Sequence, residues 1–219
     1  LIWRNPEAEV EISNIKSNQP QTSNNYNPSV RVATIQYGQK RIKSIEEFKQ
    51  FVEYYVKTVS DYKCDFVLFP ELFSLQLLSI HNEDIKPHKA IEKLTKYAPE
   101  LKEFYSTMAI KYNINIIGGS HPKKMKDGTI HNVSFIALRD GKNHEQSKLH
   151  PTPEEKYWWN ISGGDKLNAI DTDCGRIGVL ICYDSEFPEL SRRLVDQGMK
   201  ILFVPFLTDE RQAYCRVRY

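Results

Sequence analysis

Arg176-Ile177-Gly178-Val179-Leu180-Ile181-Cys182-Tyr183-Asp184-Ser185-Glu186-Phe187-Pro188-Glu189 is the stretch from which the fold is read. Ile177 to Ile181 is a short apolar run rich in β-branched residues, as expected of a strand buried on both faces. Cys182 stands at its end. Tyr183-Asp184-Ser185 breaks the run, and Glu186 to Gln197 has helical character, stopped by Gly198 as a fitting C′ residue. A cysteine between a buried strand and a helix can expose its sulfur, and the amides that follow point where an oxyanion would form. Cys182 therefore reads in two ways, as a small core residue, which most cysteines are, or as a nucleophile.

Working outward, apolar strands alternate with helical patterns. Val30 to Gln36 reads as the first strand. Ser44-Ile45-Glu46-Glu47 is a capping-box pattern, and it opens a helix with Ile45, Phe48, Phe51, Val52, Tyr55, Val56 and Val59 on one face. Asp65 to Phe69 is the next strand. Pro87 to Tyr97 and Pro99 to Tyr112 read as two helices, the second with Leu101, Phe104, Tyr105, Met108 and Tyr112 towards the core. Ile114 to Ile117 is a buried strand ended by Gly118-Gly119-Ser120-His121, where the glycines signal close backbone approach rather than phosphate binding. Asp127-Gly128 and Asp140-Gly141 mark turns of a meander that holds the strand Val133 to Leu138 and a strand closed by Glu145 to Lys148. Lys148 to Asp165 reads as an ordered irregular loop. Asp171 to Gly175 makes a hairpin turn, Lys200 to Pro205 is a buried strand, and Asp209 begins a helix. Such alternation, with a meander between, is an α/β domain with helices outside a central sheet system.

Composition narrows the function classes. The 219 residues allow one good core, and a net charge of +2 with 26% charged residues gives no basic patch for nucleic acid. No apolar run approaches the roughly 20 residues that span a bilayer, and no signal-peptide pattern opens the chain. Cys64, Cys174, Cys182 and Cys215 are too widely spaced for a disulfide framework or a zinc pattern, so a reducing, cytoplasmic setting is expected. Residues 1–29 are read as the remnant of an upstream segment plus an Asn-rich linker, because Ser17 to Ser29 is polar and holds two prolines. The chain begins at Leu1 and stops at Tyr219 within a helical pattern, so a fragment cut at both ends is expected.

Three residues with chemical potential fall at strand ends. Glu71 follows the strand Asp65 to Phe69, at the edge where ligands gather in open α/β sheets. Standing alone it would be a solvated loop carboxylate. Lys148 is either a snorkelling surface lysine or a fixed cation beside a nucleophile. His150 is a surface residue, a structural hydrogen-bonder or a base. Trp158 and Trp159 cover the core or wall a pocket. A thiol with an ordinary pKa of about 8.5 needs activation, which a carboxylate base and a nearby ammonium can supply.

F-P-E-L-F around Glu71, K-L-H-P-T-P around Lys148 and L-I-C-Y-D-S-E-F-P-E-L around Cys182 together resemble the nitrilase, or carbon-nitrogen hydrolase, superfamily. G-G-S after the third strand and V-P-F after Cys182 extend the likeness from about Val30 to Tyr219, which defines residues 30–219 as the hydrolase domain. The likeness is greatest to the bacterial branch with an N-terminal acetyltransferase-like domain. It implies an α-β-β-α sandwich, here lacking its C-terminal part, that dimerises through its α faces and uses neither metal nor organic cofactor.

The same resemblance implies roles. Glu71 would be the general base, Cys182 the nucleophile, and Lys148 with the backbone amide of Tyr183 the stabilisers of the developing charge. Glu155, or alternatively Glu154, would be a second glutamate of the site, leaving His150 a loop residue. Trp158, Trp159, Glu186 and Phe206 are candidate pocket residues. The expected activity is hydrolysis of an amide, carbamoyl or nitrile C–N bond of a small molecule through a cysteine thioester. Two other readings are acyl transfer to an amine by the same chemistry and a non-catalytic regulatory module.

Overall fold

In the computed structural model of the chain, residues 9–12, 29–81 and 84–207 are described. In chain order they form β1 (Glu9–Ile12), β2 (Val30–Thr34), α1 (Ile45–Asp61), β3 (Phe66–Leu68), a 3-10 helix (Phe73–Ile80), α2 (Pro87–Leu94) continued by a single 3-10 turn (Thr95–Tyr97), and α3 (Ala98–Lys111). There follow β4 (Asn115–Ile117), β5 (His121–Lys124), β6 (Ile130–Ala137), β7 (Asn143–Ser147), α4 (Pro153–Trp159), β8 (Ile170–Thr172) and β9 (Gly175–Val179). A second 3-10 helix (Cys182–Glu186), α5 (Pro188–Asp196) and β10 (Ile201–Phe203) complete the described residues. The helix expected from Asp209 and most of the Asn-rich linker lie outside them.

Local sequence accounts for most of these elements. Ser44 caps α1, its hydroxyl accepting from the Glu47 amide at 3.2 Å, and Phe48, Val52, Val56 and Val59 are buried along one helical stripe. The short strands β3 and β4 and the apolar part of β9 are covered on both faces, whereas β10 is fully buried at Phe203 and partly at Ile201 and Leu202.

Among the described residues the strands make two sheets. In the larger one β2, β3 and β4 run parallel, with Val32 opposite Phe66 and Phe66 opposite Asn115, while β1 pairs antiparallel with β2 at the edge. Antiparallel β6 takes β4 and then β5 along one side and β7 along the other. In the smaller sheet β9 lies between parallel β10 and antiparallel β8.

The layers follow from which side chains pack together. Val32, Phe66, Ile117, Ile136 and Leu138 of the large sheet meet Ile170, Ile177, Val179 and Phe203 of the small one. Phe66 and Phe203 touch across that interface with ring centroids 4.9 Å apart. On the other face of the large sheet, Phe48, Val52, Phe69, Leu101 and Tyr105 join α1 and α3 to the sheet. Leu190 and Leu194 of α5 cover Leu180 on the outside of the small sheet. The result is the expected α-β-β-α sandwich, each fully buried large side chain contributing about 1.5–3 kcal/mol relative to exposure.

One local expectation is corrected. The stretch Lys148 to Asp165, read as irregular, contains α4, whose first turn is closed by a capping box between Thr152 and Glu155 with Pro153 at N1. The prolines and glycines that signalled a loop flank this short helix; Pro153 starts it rather than breaking it.

Candidate active site

Three strand ends meet at one edge of the sandwich. After β3, Pro70 and Glu71 enter a turn in which Leu72 has φ +50°. That turn is pinned by the glycine-rich segment after β4. The Ser120 hydroxyl accepts from the Leu72 amide at 3.0 Å, and a Cβ on Gly119 would collide with the Pro70 carbonyl oxygen. Of the two glycines Gly119 permits close backbone approach, while Gly118 makes room for the Tyr105 ring. Glu71 is thereby turned inward and is only 3% exposed.

Lys148 follows β7, its amide donating to the Asn132 carbonyl of β6 at 2.8 Å and its own carbonyl accepting from Gly164 at 2.9 Å. Gly163 and Gly164 allow the returning chain to lie against this strand end, since a Cβ on Gly164 would sit 2.6 Å from the Ser147 Cβ. Lys148 is 1% exposed, so it is not a snorkelling surface residue.

Cys182 opens the second 3-10 helix with φ +49°, a left-handed conformation that costs a non-glycine residue about 1–3 kcal/mol. Its amide donates to the Pro205 carbonyl at 2.9 Å, which ties the bend to the segment after β10. The next amide, of Tyr183, lies at the open N-terminal end of this 3-10 helix.

The side chains form one connected cluster. Lys148 Nζ donates to Glu71 Oε1 at 2.8 Å and to Glu155 Oε2 at 2.7 Å. Asn132 Nδ2 donates to Glu71 Oε1 at 3.0 Å and to Glu155 Oε1 at 3.1 Å. The other Glu71 oxygen accepts from the Leu207 amide at 3.2 Å. The Cys182 thiol is within hydrogen-bonding reach of the Glu71 carboxylate, and its sulfur lies 3.9 Å from the Leu207 carbonyl. Glu155 also accepts from the Thr152 amide at 2.7 Å, so the carboxylate that caps α4 is the second partner of Lys148.

Burial and charge set the protonation of this cluster. Burial pushes Glu71 above the usual carboxylate range; Lys148 opposes this and Glu155 adds to it. Burial pulls Lys148 down, but the carboxylates of Glu71 and Glu155 outweigh it and hold the ammonium above its ordinary value. The Cys182 thiol is pushed up to about 12, first by burial and then by the Glu71 carboxylate. At rest the sulfur is therefore a neutral thiol beside the Glu71 carboxyl group, and it would need a base to act as a nucleophile.

Of the two second-glutamate candidates, Glu155 is buried in the cluster while Glu154 is exposed. His150 does not face the thiol: its ring stacks on Phe187 at 3.9 Å and its Nδ1 lies 3.2 Å from Asp184. Trp158 is 55% exposed, and Trp159 packs against the core between the large sheet and its helices. Glu186 is exposed at the end of the second 3-10 helix. Phe206 is exposed and adjoins Leu207, whose amide reaches Glu71.

Sequence reasoning passed over two buried polar residues of the site. Asp184, fully buried, accepts from the amides of Leu149 at 3.0 Å, His150 at 2.7 Å and Ile181 at 3.4 Å. It fastens the segment after Lys148 to the bend at Cys182. Asn132 is the hub between the two glutamates. An amide directly before the strand Val133 to Leu138, and an acid two residues past the cysteine, were the available signals.

Residues 31–216 match the family model for carbon-nitrogen hydrolase. The chain belongs to the carbon-nitrogen hydrolase family. Among carbon-nitrogen hydrolase relatives, the probable hydrolase YhcX of Bacillus subtilis is 48% identical over 203 residues, covering 91% of this chain and 39% of its own length. The omega-amidase NIT3 of Saccharomyces cerevisiae is 28% identical over 192 residues, covering 80% of this chain and 62% of its own. The chain thus spans less than two thirds of either relative. The fold is shared with the crystal structure of a Helicobacter pylori carbon-nitrogen hydrolase, with a TM-score of 0.69 at 23% identity over 86% of this chain and 64% of the other. Saccharomyces cerevisiae Nit3 gives 0.68 at 24% identity over 84% and 67%. No helix among the described residues is long and apolar enough to cross a membrane.

Proposed function

We propose that this chain carries the thiol chemistry of an enzyme that hydrolyses the C–N bond of a small-molecule amide. The observation that carries the reading is the convergence of Glu71, Lys148 and Cys182, from three separate strand ends, on one buried hydrogen-bonded cluster. A merely structural ion pair would not need a strained cysteine hydrogen-bonded to its carboxylate.

In this mechanism the Cys182 sulfur attacks the amide carbon while Glu71 takes the thiol proton. The negative charge on the former carbonyl oxygen is met by Lys148 and the Tyr183 amide. The tetrahedral adduct collapses, and ammonia or an amine leaves with the proton held by Glu71. Water then attacks the thioester, Glu71 accepting its proton. Collapse of the second adduct releases the acid and returns the proton to sulfur. Glu155 is the second carboxylate that holds Lys148.

Amides are favoured over nitriles as substrates because relatives carry the names omega-amidase and deaminated glutathione amidase. Exposed Tyr54 and Ile110 on α1 and α3 supply apolar surface for the proposed dimer through the α faces. The free thiol of Cys174 fits a reducing, cytoplasmic setting. The 39% coverage of YhcX leaves room in such a protein for the proposed upstream acetyltransferase-like domain.

The test takes the full-length protein and its Cys182→Ala variant with a panel of ω-amides, N-carbamoyl amines and nitriles. Ammonia release and intact mass after a brief quench are recorded. A Cys182-dependent acyl adduct with ammonia and acid as products supports hydrolysis. An adduct that resolves only when an amine is added assigns acyl transfer instead, and turnover by the alanine variant refutes the mechanism.

A further inference from the structure

We propose that Asn132 is a positioning residue that keeps the Glu71 carboxylate ionised and aligned towards the Cys182 thiol by donating its two amide hydrogens, one to Glu71 and one to Glu155. The inference rests on the reading of Glu71 as the base.

Geometry makes Asn132 the centre of the site although it has no chemistry of its own. It is fully buried in β6. Its backbone carbonyl holds the Lys148 amide at 2.8 Å, and its Nδ2 lies 3.0 Å from Glu71 Oε1 and 3.1 Å from Glu155 Oε1. Its Oδ1 has no partner among the described residues, so the two donations are what the side chain contributes. The orientation follows from the acceptors: ionised carboxylates have only lone pairs to offer, so the NH₂ end must face them. Asn132 and Lys148 bridge the same two carboxylates, one as a neutral donor and the other as a cation, and the four side chains close a ring.

The charge balance explains why a neutral donor is needed. Two carboxylates and one ammonium leave the cluster one negative charge in excess, which draws a proton into a buried site. The groups facing Glu71 are Lys148 from the end of β7, Glu155 from α4, the Cys182 thiol from the second 3-10 helix and the Leu207 amide. Lys148 is shared with Glu155, so Asn132 joins the Cys182 thiol as a neutral side-chain donor that opposes protonation of Glu71. Hydrogen bonds to the charged form favour that form. Asn132 also occupies Oε1, leaving Oε2 for the Leu207 amide.

The probe is iodoacetamide, which alkylates Cys182 and needs no knowledge of the substrate. Rates of Cys182 modification in the full-length protein are read by intact mass and peptide mapping from about pH 5 to about pH 10, alongside a thermal melt, so that the span covers the ordinary carboxylate and thiol ranges. Asn132→Leu is expected to move the midpoint of the acid limb up by about one pH unit, a loss of about tenfold below it that is largely recovered above it. Asn132→Asp keeps the volume but adds a third carboxylate, and its midpoint is expected to move at least as far. It also serves if the leucine variant does not fold.

A rate lowered by one constant factor at every pH, with the midpoint unmoved in the folded variants, overturns the proposal. Glu71→Gln separates the two readings. If it abolishes the acid limb while the Asn132 variants keep the original midpoint, Asn132 falls and the base stands. If it leaves the limb intact, the base reading fails and takes this proposal with it.

Discussion

Removing the Asp184 carboxylate should loosen the site without touching the reacting atoms. Asp184 is fully buried and accepts from the amides of Leu149 and His150 at 3.0 and 2.7 Å, with a longer bond from Ile181 at 3.4 Å. The two short bonds are charge-assisted, and each contributes about 1.5–3 kcal/mol net. Leu149 and His150 are partly exposed, so water can recover some of the loss and the lower end of the range applies. Asp184→Ala should therefore destabilise the domain by about 3–4 kcal/mol, which is about 6–15 °C in Tm for a domain of this size. Asp184→Asn keeps the shape and one acceptor oxygen but turns an NH₂ towards an amide N–H, so a loss of about 1.5–3 kcal/mol is expected. Since the carboxylate fixes the Lys148 strand end against the Cys182 bend, both variants should also slow Cys182 alkylation. Urea unfolding followed by circular dichroism, with iodoacetamide labelling of the folded protein, measures both effects. An alanine variant within about 0.5 kcal/mol of the parent protein, the ordinary range for surface changes, would refute the clamp.

Gly119→Ala places a Cβ against the Pro70 carbonyl at a φ of +68°, so a destabilisation of about 2–4 kcal/mol is expected, with Glu71 displaced and Cys182 alkylation slowed; full stability in urea would contradict it. His121 is buried, its Nδ1 2.6 Å from the Ser74 hydroxyl and its Nε2 2.9 Å from the Leu94 carbonyl. Burial pushes its pKa down to about 4 from 6.5. The unfolded chain binds a proton below about pH 6.5 that the folded chain refuses until about pH 4, so stability is complete above this window and falls by about 3 kcal/mol as pH drops through it. Denaturant melts at several pH values should show a shallower slope in His121→Gln than in the parent, and equal slopes would refute the assignment.

Much of the architecture was legible locally. The apolar runs ending at Phe69, Ile117 and Ile181, the capping box at Ser44 and the glycines after Ile117 fixed strands, helices and a tight approach, because each depends on neighbours in sequence. Thr152 and Glu155 formed an equally local signal for α4, yet the surrounding prolines and glycines weighted the reading towards a loop. Glu71 and Cys182 were noticed because each follows an apolar run, and Lys148 because it stands at a strand end of the meander. That they share one site came from motif resemblance before the geometry brought them together.

By itself, then, the sequence determined the alternation of strands and helices and the three strand ends bearing a carboxylate, an amine and a thiol. Only the tertiary structure decided which polar groups are buried together. Lys148 became a fixed cation because Glu71 and Glu155, separated from it by 77 and 7 positions, both face it. His150 was assigned to Asp184 and Phe187 rather than to the thiol. Asn132 and Asp184 gained their places because a buried carboxylate must find donors wherever the fold brings them, and that requirement leaves no local pattern in the chain.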